Sequence, residues 1–176
     1  MSGHNKWSKI KHKKAGTDAA KSKIFSKMAR AIATASRQVN GDTNSPTLRA
    51  AIDKAREFNM PTDNIERAVK KGSGADAEQM ENITYEAYGP GGSALAIEAL
   101  TANRNKAAQE VKFILSEHGF SLAGQGSATW AFSKEGVEWK PTMTVPLSPE
   151  DEQKLEKLIE DLEDNDEVQD VYTNAE

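Results

Sequence analysis

Residues 83–100 have the sequence ITYEAYGPGGSALAIEAL, in which two apolar runs flank the turn Gly89-Pro90-Gly91-Gly92. Glycine and proline at consecutive positions favour a tight turn, and runs of this length and composition are typical of strands. The stretch therefore predicts a β-hairpin with strands over 83–88 and 94–100. The glycines also resemble a phosphate loop, but the G-K-[ST] ending is missing, so the turn is the better interpretation.

Downstream of the hairpin, helices and strands alternate. A helix is predicted over 107–118 and another after Ser148-Pro149, because apolar residues recur at spacings of three and four. Strands are predicted over 128–132, 143–145 and 168–172. From the second hairpin strand onward the order is βαββαβ, in which two helices cover one face of an antiparallel sheet. The first hairpin strand is expected to extend that sheet.

Upstream of the hairpin, the sequence predicts three helices. The first is capped by Thr17 and stops at Gly41. The second begins at Ser45-Pro46, a cap followed by a proline in the first turn, and ends at Met60-Pro61. The third, shorter helix runs over 63–71, with a glycine after it as terminator. Three helices with short connections imply a small bundle.

The small polar residues 72–76 form a predicted linker, so we place a domain boundary there. The basic helical, nucleic-acid-binding domain is expected over 1–75 and the acidic, ferredoxin-like α+β domain over 76–176. The whole chain is therefore expected to be α+β: an N-terminal three-helix bundle followed by a ferredoxin-like βαββαβ domain with an extra N-terminal strand.

The two predicted domains carry opposite charge. The chain has a net charge of -4, yet residues 1–75 contain 16 Lys and Arg against 6 Asp and Glu, and residues 76–176 contain 7 against 21. Within the first 40 residues, ten cations accompany only one acid, Asp18. Segregation of this kind is typical of a protein whose basic part binds a polyanion.

The N-terminal segment over residues 6–14 combines alternating lysines with one tryptophan. Cations that bind phosphates beside a ring that stacks on a base are features of single-strand and RNA recognition. The alternative is a solubilising tail in which Trp7 only packs on the bundle. The predicted nucleic-acid-binding residues are Lys6, Trp7, Lys9, Lys11, His12, Lys13, Lys14, Lys21, Lys23, Lys27, Arg30, Arg67, Lys70 and Lys71. The last three also suit the C-terminus of a helix, where the macrodipole favours cations.

No pattern in the chain indicates catalysis or a cofactor. There is no cysteine, which excludes disulfides and thiolate metal sites, and the three histidines are scattered. No serine lies in a G-x-S-x-G motif, and no stretch approaches the roughly 20 apolar residues that span a bilayer. We therefore expect a cytoplasmic, non-enzymatic protein with no metal, no cofactor and no membrane partner.

Five segments follow one another in order along most of the chain. They are Gly3-His4-Asn5-Lys6-Trp7 with Ile10-Lys11-His12-Lys13-Lys14; Asn59-Met60-Pro61 with Asp63-Asn64-Ile65-Glu66-Arg67-Ala68; Tyr85-Glu86-Ala87-Tyr88-Gly89-Pro90-Gly91-Gly92; Asn103-Arg104-Asn105; and Gly126-Ser127-Ala128-Thr129-Trp130-Ala131-Phe132. Together they resemble the YebC/PmpR family, which includes the mitochondrial translational activator of cytochrome c oxidase.

This resemblance implies binding and not catalysis. The family includes proteins described as DNA-binding transcriptional regulators and as ribosome-associated factors that help translation through difficult, notably proline-rich, stretches. Its members carry a third domain inserted between two strands. In this chain the first of these strands is expected to end near Ser133 and the second to begin near Thr142, and only residues 134–141 connect them. The chain therefore resembles a short member without the inserted domain.

The leading hypothesis is a ribosome-associated or RNA-associated translation factor whose basic domain binds rRNA or tRNA. A transcriptional regulator on duplex DNA is the first alternative. A protein-interaction adaptor, whose acidic half binds a basic partner, is the second. An aromatic ring among lysines favours RNA, whereas no recognition helix can be assigned from the sequence. The expected partners are therefore nucleic acid and the ribosome.

Replacing Trp7 by alanine is expected to cost on the order of 1–3 kcal/mol of single-strand affinity, because a stacked base would lose its platform. Titration of a labelled RNA oligonucleotide measures the change, and thermal unfolding checks the stability of the variant. Unchanged affinity together with unchanged stability would leave the segment as an electrostatic tether without a stacking role.

Overall fold

A computed structural model of the chain describes residues 16–176. The described residues form two compact units, which divide between Met80 and Glu81. The first unit is helical, and the second combines an antiparallel sheet with two long helices. The α+β class expected from the sequence is therefore confirmed.

The predicted bundle is present in the first unit. Residues 16–80 contain α1, Asp18–Gln38; α2, Pro46–Glu57; and α3, Thr62–Gly72. As predicted, Thr17 caps α1, and its hydroxyl accepts a hydrogen bond from the Ala20 N–H at 3.2 Å. Pro46 occupies the first turn of α2, directly after Ser45. The buried core consists of Met28, Ile32, Ala35, Leu48, Ile52, Ala55, Met60, Ile65 and Ala68.

Gly72 ends α3 as predicted, but for a packing reason. Its φ is not positive, and the residue is buried. A Cβ atom at this position would lie 2.1 Å from the carbonyl oxygen of Ala33 and 2.7 Å from Cβ of Ser36, both on α1. Nearby, the Ser36 hydroxyl donates a hydrogen bond of 2.6 Å to the carbonyl oxygen of Val69. The missing side chain therefore allows α1 and α3 to approach closely.

The second unit is built around the predicted hairpin. Residues 81–176 contain β1, Glu81–Tyr88; β2, Ala94–Thr101; α4, Arg104–Glu117; β3, Leu122–Ala123; β4, Phe132–Glu135; β5, Glu138–Pro141; α5, Pro149–Asp164; and β6, Val168–Thr173. The main sheet has the order β3-β1-β2-β6, and β4 pairs with β5 in a separate hairpin. β1 pairs with β2 along its whole length, from Glu81 opposite Thr101 to Tyr88 opposite Ala94. The predicted turn and the extension of the sheet by β1 are confirmed.

The two long helices cover one face of the main sheet, as expected. Asn103 and Ser148 cap them, and their side-chain oxygens accept hydrogen bonds from the N–H groups of Lys106 and Asp151, each at 3.1 Å. Between helices and sheet lies a core made of Ala87, Leu95, Ile97, Val111, Leu115, Leu155, Leu158, Ile159, Leu162, Val168, Val171 and Ala175.

The strand predictions over 128–132 and 143–145 were wrong. The first segment is mainly a 3-10 turn, Thr129–Ala131, and in the second only Val145 makes a bridge, to Ala175. A strand at 128–132 would need backbone N–H groups that are already bonded to a side chain of β1. The main sheet therefore takes β1 and β3 in place of these two segments.

That side chain is Glu86, around which the loop after β3 is organised. The residue is 4% exposed, and its carboxylate accepts N–H bonds from Gly126 at 2.7 Å, Ala128 at 3.0 Å and Thr129 at 2.7 Å. Burial acts to raise the pKa of Glu86, but the bonds from these three residues outweigh it and hold the pKa below the ordinary value of 4.5. The carboxylate is therefore ionised at neutral pH and fixes the loop to β1.

The second face of the sheet is covered by residues 128–141. Trp139 of β5 packs edge-on against Phe132, with ring centroids 6.4 Å apart, and its indole N–H donates to Glu98 at 2.6 Å. The buried residues on this side are Ala94, Ala96, Ala128, Ala131, Phe132 and Tyr172. The short β4–β5 hairpin thus covers this face without an inserted domain.

Replacing Gly72 by alanine is expected to destabilise the helical unit by about 1–3 kcal/mol, because the added methyl group must push α1 and α3 apart. Gly74→Ala is the matched control, since its Cβ would lie 3.4 Å from the nearest atom, the Lys71 carbonyl oxygen. Urea unfolding followed by circular dichroism compares the two variants. Equal stability would contradict the packing role of Gly72.

Replacing Glu86 by glutamine is expected to lower the free energy of unfolding by about 2 kcal/mol at neutral pH, because both carboxylate oxygens accept N–H bonds and an amide has only one, uncharged acceptor oxygen. At least one of the three N–H groups would then face the amide NH2 group without an acceptor. A lowered folded-state pKa means that the stabilisation is complete above the unfolded-state pKa and is lost as the pH falls through the folded-state pKa. The gap between wild type and variant should therefore narrow below pH 4.5.

Urea unfolding at neutral and acidic pH measures this gap. Glu117→Gln, at an exposed position of α4, is the control and should leave stability nearly unchanged. If the difference in free energy of unfolding between wild type and Glu86→Gln stays the same at acidic pH, ionisation of Glu86 is not the source of the stabilisation.

Candidate nucleic-acid interface

The predicted binding residues fall into two groups. Those that lie outside the described residues are Lys6, Trp7, Lys9, Lys11, His12, Lys13 and Lys14. The other seven lie on two helices. They are Lys21, Lys23, Lys27 and Arg30 on α1, and Arg67, Lys70 and Lys71 on α3.

A groove of about 560 Å³ runs between α1 and α3. Its lining residues are Asp18, Lys21, Ser22, Phe25, Ser26, Ala29, Met60, Asn64, Arg67, Ala68 and Lys71. Phe25 and Met60 also pack in the core of the bundle, so they form an apolar floor beneath the polar side chains. The volume is in the range of sites that hold a small molecule or one residue of a polymer.

Three of the predicted residues meet at this groove. Lys21 lies on α1, and Arg67 and Lys71 lie one turn apart on α3, which places the latter two on one helix face. All three are exposed. Asp18 is the one acid in the lining, so positive charge prevails. Cations around an apolar floor suit a ligand that combines negative charge with a flat apolar group.

The apolar floor and one polar residue of the groove are not evident from the sequence pattern alone. The groove lining includes Phe25, Met60 and Asn64, none of which is among the binding residues that the sequence predicts. Asn64 precedes Arg67 by three residues and Lys71 by seven, which is the spacing of one helix face. Met60 and Asn64 also belong to a segment that carries the family resemblance. The shared helix face and the family-resemblance segment together are the sequence features that could have identified Asn64 as a groove residue.

Lys23, Lys27 and Arg30 are not brought to the groove. Their spacings of four and three place them together on a different face of α1 from Lys21. All three are half-buried, and the Arg30 guanidinium lies 3.9 Å from the sulfur of Met80.

Lys70 lies on the opposite flank of α3, in a second groove of about 580 Å³ between α2 and α3. This groove contains both signs of charge: Arg49 and Arg56 accompany Lys70, and Asp53 and Glu66 oppose them. Arg56 lies 3.5 Å from Asp53. The near balance of charge makes this groove less suited to a polyanion.

Within residues 16–176, no group of three or more His, Asp or Glu side chains is arranged to hold a metal ion. None of the helices in this range combines the length and the apolar character needed to cross a bilayer.

Comparison with protein families matches both parts of the chain. The model described as the TACO1/YebC protein N-terminal domain matches residues 5–75, and the model described as the TACO1/YebC second and third domain matches residues 80–137 and 134–175. The second match consists of two segments that overlap over residues 134–137, within the 134–141 connection where the family resemblance implies a missing insert.

Individual relatives agree with these matches. A probable transcriptional regulatory protein of Fervidobacterium nodosum is 41% identical over 236 residues, covering 99% of this chain and 93% of that protein. One of Thermoanaerobacter pseudethanolicus is 37% identical over 239 residues, covering 100% and 97%. Both alignments exceed the 176 residues of this chain, so these relatives contain residues that it lacks.

A solved structure is also similar. The crystal structure of a conserved hypothetical protein from Aquifex aeolicus has a TM-score of 0.77 to this chain at 31% identity. The similarity covers 90% of this chain and 91% of that chain. It therefore extends across both units.

Proposed function

This chain belongs to the TACO1/YebC family, and we propose on that basis that it is a non-enzymatic, nucleic-acid-binding regulator of gene expression. The relatives' names indicate regulation. The observation that carries the proposal is the α1–α3 groove, in which Lys21, Arg67 and Lys71 surround an apolar floor that contains Phe25 and Met60.

Two physical contributions to binding are proposed. The cations neutralise backbone phosphates and release condensed counterions, which supplies affinity without sequence information. The floor offers Phe25 to an unstacked base, for which an aromatic ring is a favourable surface. Residues 6–14 precede α1 and add five lysines and Trp7, which we propose bind the same strand.

The proposed ligand is RNA, and the proposed setting is the ribosome in the cytoplasm. Bases of a duplex are stacked and paired, whereas a loop or single strand can place one base against Phe25 while its phosphates meet the cations. Ribosomal and transfer RNA offer such loops. Duplex DNA is the second candidate ligand, favoured by the names of the relatives.

Replacing Lys21, Arg67 and Lys71 together by glutamine is expected to weaken binding of single-stranded RNA about tenfold or more. Each phosphate contact on a single strand contributes about 0.7 to the slope of log affinity against log salt, so the slope should fall by about two units. Fluorescence anisotropy of a labelled oligonucleotide across a salt series measures both quantities.

The matched control replaces Arg49, Arg56 and Lys70, which removes the same charge from the α2–α3 groove of the same unit. This variant should change the slope by less than one unit. Equal losses in the two triple variants would show that binding follows total charge and would reject the groove. If the wild type binds duplex DNA more tightly than RNA, the alternative function, a transcriptional regulator that binds DNA, is favoured. Co-sedimentation of the protein with ribosomes, with and without nuclease, tests the proposed association with the ribosome.

A further inference from the structure

The second unit carries an exposed aromatic pair that the proposed function does not use. Trp130 is 58% exposed and Tyr88 is 37% exposed. The Trp130 indole N–H donates to the Tyr88 hydroxyl at 2.7 Å, and that hydroxyl in turn donates to the carbonyl oxygen of Ser127. The indole is therefore held in one orientation while more than half of its surface faces solvent.

The backbone beneath the indole is fixed as well. The N–H groups of Ala128 and Thr129 are bonded to the buried carboxylate of Glu86, and Ala128 and Ala131 are fully buried. A ring whose position is already set loses little conformational entropy when a partner covers it. Tryptophan side chains in such settings are typical anchors of protein interfaces.

The charge of the unit decides which partner suits this pair. Residues 81–176 contain 7 Lys and Arg against 19 Asp and Glu. Six of the seven cations already contact an acidic side chain or an indole ring. They are Arg104, Lys106, Lys134, Lys140, Lys154 and Lys157. A phosphate backbone would meet repulsion here, whereas a cationic polypeptide is attracted.

We infer that the Trp130–Tyr88 surface binds an arginine-bearing segment of a partner polypeptide, with a guanidinium stacked on the exposed indole. The indole N–H is already bonded to Tyr88, so the ring face is the group that a partner contacts. A guanidinium is planar and less strongly hydrated than an ammonium, and it stacks on tryptophan more readily. This surface lies in the second unit and is independent of the proposed RNA-binding groove.

Isothermal titration of the full chain with a short peptide of alternating arginine and glycine tests the inference. The peptide should bind the wild type, and a matched lysine peptide should bind several-fold more weakly. Trp130→Ala should lower the affinity for the arginine peptide about tenfold. Tyr88→Phe, which removes the hydroxyl that orients the indole, should cause a smaller loss of about threefold.

The control is Phe113→Ala, which removes a ring that is 63% exposed on α4 of the same unit and should leave affinity unchanged. Trp130→Phe keeps a ring at the site but loses the bond to Tyr88, so its loss should be at least that of Tyr88→Phe and smaller than that of Trp130→Ala, which separates stacking from a fault in folding. The proposal is overturned if the wild type does not bind the arginine peptide, or if Trp130→Ala binds it equally well. If single-stranded RNA displaces the peptide, and if Trp130→Ala also lowers the affinity for that RNA, the surface binds nucleic acid and not a polypeptide.

Discussion

The second unit depends on one buried charge, the carboxylate of Glu86. It satisfies three backbone N–H groups in a segment that has no strand partner of its own. An unpaired N–H group in the interior costs about as much free energy as a lost hydrogen bond. The Glu86 carboxylate therefore supplies the hydrogen-bond acceptors that the carbonyl groups of a neighbouring strand would otherwise supply. Because the loop is fixed there, β4 and β5 follow across the second face of the sheet, and Trp130 is presented to solvent.

A steric constraint has the corresponding role in the helical unit. At Gly72 the backbone of α3 comes so close to α1 that no Cβ atom fits beside the Ala33 carbonyl oxygen. The separation of the two helices is thereby set, and the groove that holds Lys21, Arg67 and Lys71 lies between them. A local packing requirement therefore controls the geometry of a proposed binding site.

Charge is distributed between the units in a way that suits two different partners. In the helical unit, cations from separate helices meet around an apolar floor with one acid beside them. In the second unit, nearly every cation is engaged and acids are in excess. A polyanion is attracted to the first unit and repelled by the second, while a cationic segment is attracted to the second. The short β4–β5 hairpin shows how such a unit can omit the insert of its longer relatives and still cover its sheet.

The sequence alone determined the features that depend on neighbouring residues: the helices with their caps at Thr17 and Ser148, the hairpin at 89–92, the segregation of charge and the family. Helix periodicity, capping and turn preferences act over a few residues, and each was visible in the pattern. Only the tertiary structure decided that residues 128–132 bend around Glu86 and do not form a strand, and that Lys21 joins Arg67 and Lys71 while Lys70 lies elsewhere. These outcomes depend on contacts between residues about 40 positions apart, which no local pattern encodes.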